Sequence, residues 1–313
     1  MIKLREELMP EKEGKSNTCH WDHGRDGCDL GGVGIDRIPD LEDSPFGPEM
    51  IYPDATDARI RELAALLGER HISTDFQLLL SFHSFLVRTA KHTILIDLCC
   101  GNDKERPARP MWHQRNGPFL DNLAAAGVQP EDVDYVMCTH LHADHVGWNT
   151  KLVNGEWAPT FPNARYLFSE IEYKFWIAEQ ETSDDPILYG SHLDSVLPVM
   201  ASGQADLVQG DHEVEAGVHL EAFPGHTPGN AVVHVQGDNG HAVVCGDVMH
   251  HPVQLYHPEW STNFCEDAEQ SRKSRTALLD RFAGSGSLIL PAHFQSPAYG
   301  AIERDGDIYR LTG

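Results

Sequence analysis

Apolar positions fall into short runs separated by Gly, Pro and charged stretches, and their spacing predicts the elements. Within residues 54–69, Ile60, Leu63, Ala64 and Leu67 recur at helical spacing, with Asp54 or Thr56 placed to cap the start. Residues 77–89, from Gln77 through Phe85 to Thr89, read as one long strand or two. His83 within this run reads as a structural or pocket-wall histidine. Residues 93–96 form an apolar strand ending at Asp97 and a turn. Phe119, Leu120, Leu123, Ala124 and Ala126 predict a helix stopped by Gly127. Residues 133–138 read as a buried strand, 153–157 as a hairpin turning on Asn154-Gly155, and 164–168 as another strand. Residues 170–179 predict a helix carrying Tyr173, Phe175 and Trp176. Strands follow at 218–223, 231–235, 241–245 and 287–290, with a helix at 271–282.

Several strands end in a side chain able to bind a metal ion: Asp97, His140, His226, Asp247 and His293. The densest ending is Thr139-His140-Leu141-His142-Ala143-Asp144-His145. If the strand end stays extended, His140 and His142 project to the same side and can share one ion. If the chain then turns, Asp144 and His145 can point to a second. Imidazole and carboxylate without thiolate suit zinc, and also iron, manganese or cobalt. His226 sits between Pro224-Gly225 and Thr227-Pro228, a stiff turn that suits a ligand held in place. Asp97 can fix the second ring nitrogen of a ligating imidazole, or simply cap its turn. Asp247, also at a strand end, can bridge two ions.

Composition narrows the setting. The 313 residues carry 24 basic and 48 acidic side chains, a formal net charge of −24. That sign argues against a nucleic-acid binder working through phosphate contacts. No apolar run reaches the length of a membrane span, and the start has no apolar signal-peptide core. A cytoplasmic protein is the expectation. Seven cysteines, an odd number, fit buried thiols in a reducing compartment. Residues 1–45 are polar and Gly-rich and read as an N-terminal arm, with residues 46–313 as a single domain. Cys19, His20, His23 and Cys28 match no common zinc module, and Gly31-Gly32-Val33-Gly34 follows no strand, so neither predicts a site.

His-x-His-x-Asp-His, then Gly-His-Thr-Pro-Gly, then Gly-Asp, then Pro-Ala-His, in that order over about residues 75–300, resembles the metallo-β-lactamase superfamily of metallohydrolases. The resemblance implies an α/β fold, an αββα sandwich of two packed mixed β-sheets flanked by helices. It implies that His140, His142 and His226 bind one metal, that Asp144, His145 and His293 bind the second, that Asp247 bridges, and that Asp97 supports a ligand. Within the superfamily the sequence is similar to the N-acyl-homoserine lactonase and methyl parathion hydrolase branch. Lactonases of that branch carry a Tyr three residues after the bridging Asp, where this chain has His250.

The expected activity is hydrolysis of a small lactone or ester by two zinc ions that lower the pKa of a bridging water toward about 7. Asp144 would orient the nucleophile, and His250 or His251 would protonate a leaving group. Trp148, Asn149, Trp176 and His251 are candidates for the substrate pocket. The alternatives are hydrolysis of a xenobiotic (a chlorinated aromatic or an organophosphate triester) and an iron-dependent oxidoreductase. The arm suggests a homodimer.

Overall fold

The structure, a computed structural model, describes residues 26–312. Its first sheet holds β1 (Gly27–Asp29), β2 (Gly34–Phe46), β3 (Leu78–Arg88), β4 (Thr93–Ile96) and β5 (Tyr135–Met137). A separate hairpin follows, β6 (Thr150–Val153) with β7 (Glu156–Pro159), before β8 (Arg165–Ser169) and β9 (Ala205–Val208) complete the first sheet in the order β1-β2-β3-β4-β5-β8-β9. The second sheet runs in simple chain order. It comprises β10 (Glu213–Glu215), β11 (Val218–Ala222), β12 (Ala231–Gln236), β13 (His241–Gly246), β14 (Leu288–Pro291), β15 (Gly300–Asp305) and β16 (Ile308–Thr312). Pairing is parallel from β4 through β5 and β8 to β9, and between β13 and β14; the other ladders are antiparallel.

The two sheets face one another. Phe85, Val87, Ile94, Ile96, Met137 and Leu167 of the first share one buried cluster with Val218, Leu220, Val233, Val235 and Val243 of the second. Leu86, Leu95, Val136 and Phe168 turn to the opposite face of the first sheet. There they meet Ile60, Leu63, Phe119, Leu123 and Trp176 from helices. This is the period-two division of a strand buried on both sides. Leu278, Leu279 and Phe282 of the helix Ala268–Phe282 join the first cluster from the second sheet's side. The resulting layers are the αββα sandwich expected from the motifs.

Local signals fixed several boundaries. The Thr56 side chain accepts from Arg59 N–H and starts the helix Asp57–Leu67, which Gly68 ends at a φ of 74°. Asp267 caps the last helix, which starts at Ala268, three residues before the expected Ser271. Asn154 and Gly155 both take positive φ, as a two-residue hairpin turn requires.

The arm expectation needs correction over residues 27–45. These are strands of the first sheet, and β2 pairs with β3 along its length. Gly31 and Gly32 turn β1 into β2. The polar reading misled because β2 is interrupted by two register shifts and buries charged groups that the fold pairs with one another. Arg37 meets Asp26 and Glu42, and Arg115 donates to Asp40 at 2.8 Å. Cys28 lies buried in β1, whereas Cys19, His20 and His23 lie outside the described residues. No helix among the described residues is long and apolar enough to cross a membrane.

Candidate metal centre

The strand ends converge on one edge of the sandwich. β4 delivers Asp97, β5 leads into residues 139–145, the β11–β12 connection carries His226, β13 runs into Asp247, and β14 runs into His293. His142 precedes the short helix Ala143–Val146, which turns Asp144 and His145 away from the strand direction. That turn divides the cluster. Ligand atoms of His140, His142, His226 and Asp247 lie within 4.8 Å of one another, and so do those of Asp144, His145 and His293.

Asp247 stands between the two groups with one oxygen toward each. Its Oδ2 is 3.1 Å from His226 Nε2 and 3.6 Å from His140 Nε2. Its Oδ1 is 3.0 Å from His293 Nε2 and 3.3 Å from His145 Nε2. Asp144 Oδ2 lies 3.6 Å from His293 Nε2. Burial works against charge on Asp247, but the imidazoles of His145, His293, His250 and His226 outweigh it and hold the carboxyl well below the usual range. Burial, reinforced by neighbouring imidazoles, keeps His140 and His142 well below the ordinary imidazole value, in the neutral form a metal ligand needs.

Three of the imidazoles are held from behind. His145 Nδ1–H donates to Asp97 Oδ2 at 2.9 Å, leaving Nε2 to face Asp247. Asp97 also accepts from the Thr139 N–H at 2.7 Å and the Thr139 hydroxyl at 2.8 Å. His293 Nδ1 meets the Ser81 carbonyl at 3.0 Å, and His226 Nδ1 lies 3.6 Å from Cys265 Sγ. Partners of this kind fix the tautomer and aim of a ligating ring.

The loops themselves are clamped. Leu98 N–H donates to the His145 carbonyl at 2.6 Å and Gly147 N–H to the Cys99 carbonyl at 2.8 Å. A Cβ at Gly147 would lie 2.0 Å from the Cys100 carbonyl carbon, so only Gly permits this approach. Gly225, at a φ of 129°, seats the His226 turn against Ser271 of the last helix in the same way.

The residues present suit metal ions. His140 Nε2 and His145 Nε2 are buried without a hydrogen-bond partner, which is costly unless something else binds them. The donors are imidazoles and carboxylates with no coordinating thiolate, a set for zinc, iron, manganese or cobalt.

The centre opens into a cavity of about 830 Å³, counted with space open to solvent. Phe46, Leu80, Phe82, Trp112, Leu188 and Phe264 give it apolar walls, and Asp144, Asp247, His250 and His293 lie at its base. His250 Nε2 is 3.2 Å from Asp247 Oδ2.

The pocket expected from sequence differs from this one. Trp148 is buried and stacked on Phe119, with ring centroids 5.3 Å apart. The Asn149 carbonyl accepts from the Tyr166 hydroxyl at 3.1 Å, inside the core. His251 is buried against the His71 carbonyl at 2.9 Å, so it reaches no leaving group in this cavity. Trp176 stands behind His142, with centroids 5.5 Å apart, and is not part of the wall. Nearness in sequence to the metal motif suggested Trp148 and Asn149; burial of both residues in the core decided otherwise.

Sequence reasoning missed Glu172. It is fully buried and accepts from Leu141 N–H at 3.2 Å, Gly229 N–H at 2.9 Å and Trp176 Nε1–H at 2.6 Å. It therefore joins the loop of His140 and His142 to the loop of His226. Its one sequence signal is the position three residues after the helix cap Ser169.

Comparison with known proteins finds relatives in both sequence and fold. The N-acyl homoserine lactonase AiiA of Bacillus thuringiensis subsp. kurstaki is 28% identical over 126 residues, 40% of this chain and 42% of that protein. Metallo-beta-lactamase domain-containing protein 1 of Xenopus laevis is 30% identical over 56% of this chain and 60% of its own length. The chain thus matches about half the length of such relatives. Among solved structures, hydrolase AbOPH superposes with a TM-score of 0.75 at 24% identity, covering 93% of this chain and 98% of that one. AidC, a dizinc quorum-quenching lactonase, superposes with a TM-score of 0.75 at 19% identity over 92% and 97%. At these identities the superpositions speak for the fold. The family model spanning residues 82–293 starts in β3 and ends at the last histidine of the cluster, and the chain belongs to the Metallo-beta-lactamase superfamily.

Proposed function

We propose that this chain is a two-metal hydrolase of lactones or related esters. The observation carrying the proposal is Asp247, which offers one oxygen to each of two ligand groups at the base of an apolar-walled cavity. The lactonase names among its relatives support the substrate class. Ions held at this centre would supply Lewis-acid polarisation of a carbonyl and a water whose pKa is lowered toward about 7. His140, His142 and His226 would hold one ion, Asp144, His145 and His293 the other, and Asp247 both.

The chain's own groups do the rest. The aromatic and aliphatic walls hold the acyl chain or ring and exclude water from it. The carboxylate of Asp144, beside His293 at the cavity base, accepts a hydrogen bond from the attacking water and takes up its proton. His250, 3.2 Å from Asp247 and kept neutral by burial, which lowers its pKa to about 4, relays to the departing oxygen the proton that the attacking water loses. Replacing His250 by Phe is expected to lower kcat by roughly 100-fold, the lower range for general acid–base catalysis. Elemental analysis should show full metal content in that variant; unchanged turnover would remove the role.

The activity is tested by elemental analysis coupled to a screen on a γ-lactone, an aryl ester, a phosphotriester and a chlorinated aromatic. Near two zinc ions per chain with lactone or ester turnover is the expected result. Two ions with turnover of only the last two substrates would reassign the substrate to a xenobiotic. Iron with oxygen uptake would overturn the hydrolase reading.

A further inference from the structure

The cavity wall contains one arginine, Arg109, in the irregular segment between β4 and the helix Phe119–Ala125. Its guanidinium carbon lies 5.3 Å from the Tyr189 ring centroid, 5.8 Å from Phe264 and 6.0 Å from Trp112. Its Nε–H donates to the Tyr189 hydroxyl at 3.0 Å, which fixes the plane of the group. The terminal nitrogens are less occupied: Nη1 approaches the Met50 sulfur at 4.0 Å, a weak acceptor. Neighbours in the same segment are closed. Arg106 forms a two-bond pair with Asp194, and Arg115 pairs with Asp40. Among the described residues no carboxylate stands within ion-pair distance of Arg109, although the chain carries twice as many acidic as basic side chains. Glu266 lines the same cavity without closing on it.

We propose that Arg109 is the anion-binding residue of this cavity and selects substrates whose apolar body carries a carboxylate or sulfonate. A guanidinium oriented through Nε keeps its terminal N–H groups in a planar fork, the geometry that takes such a group through two parallel bonds. The three rings around it reduce its hydration and offer faces to an aryl or acyl body. The net charge of −24 repels anions at long range, so a local cation is what an acidic substrate needs here. The word substrate rests on the hydrolase reading; the binding site does not.

The test compares two ligands that share one body. 2-Naphthalenesulfonate and 2-naphthalenemethanol are titrated calorimetrically onto the zinc-loaded protein. Wild type should bind the sulfonate more tightly. R109M should collapse the ratio of the two dissociation constants by tenfold or more, with R109K recovering part of it. Metal content and unfolding midpoint establish that both variants are folded. A wild-type ratio near one, or a ratio unchanged in R109M and R109K, overturns the proposal. In parallel, γ-lactones with equal chains ending in methyl or carboxylate report on catalysis, where R109M should raise KM for the acid relative to the neutral lactone. If neither lactone turns over while the sulfonate preference depends on Arg109, the hydrolase reading fails and the anion site stands.

Discussion

Replacing Asp247 by Ala is expected to cost the chain both metal ions and to lower kcat/KM by at least about 10³-fold, the scale of losing a principal electrostatic stabiliser. The carboxylate reaches His140, His226 and His250 through one oxygen and His145 and His293 through the other. Without it, the imidazoles of the two groups face one another across a buried volume, and the anion that links the groups is gone. D247N is the discriminating partner. It keeps the shape but offers an oxygen to one side and an amide N–H₂ to the other, so about one ion per chain is expected. Chelation provides a second readout. A ligand present at 1,000 times its Kd stabilises the folded state by about 4 kcal/mol. Wild type should lose that amount when a chelator is added, and D247A should show no such shift in denaturant unfolding. Two ions retained in D247A would remove Asp247 from the centre.

The elements that sequence revealed are those whose signal is local. The apolar spacing of residues 93–96, 231–235, 241–245 and 287–290 reports burial within each strand, and the Asn154-Gly155 turn is set by its own φ angles. The candidate ligands were legible because each follows such a strand, so a one-dimensional pattern already placed them at strand ends. The cavity walls were not. Phe46 and Phe82 come from the first sheet, Arg109 and Trp112 from the segment before the helix Phe119–Ala125, and Phe264 from the segment before the last helix, and only the tertiary fold brings them together. β2 was hidden for a related reason. Its buried Arg37 and Asp40 look like surface residues until Asp26, Glu42 and Arg115 are brought beside them. Trp148 failed in the opposite direction, because an aromatic near a metal motif is as useful to the core as to a pocket, and here it stacks on Phe119.

Glu172 illustrates how far an effect can lie from any motif. E172A is expected to destabilise the protein by about 3–5 kcal/mol, because three buried N–H donors lose their acceptor at about 1–3 kcal/mol each, with partial relaxation. Two of those donors, Leu141 N–H and Gly229 N–H, belong to the loops that carry His140 with His142 and His226, so the loss reaches metal binding as well. A 10- to 100-fold fall in metal affinity is the expected scale for a residue that orients ligands without touching the ion. E172Q separates the two effects. It preserves volume and one acceptor, but its amide N–H₂ must face either Gly229 N–H or the pair of Leu141 N–H and Trp176 Nε1–H. Two donors then oppose each other across a buried contact, and no rotamer relieves both sides. E172Q should therefore unfold at lower denaturant than wild type and also yield metal to a competing chelator sooner. Burial already raises the Glu172 carboxyl above the ordinary value, against the hydrogen bonds that lower it. If E172Q matched wild type in both measurements, the link between the two loops would have to lie elsewhere, in the bond from Ala231 N–H to the Thr139 carbonyl at 2.9 Å.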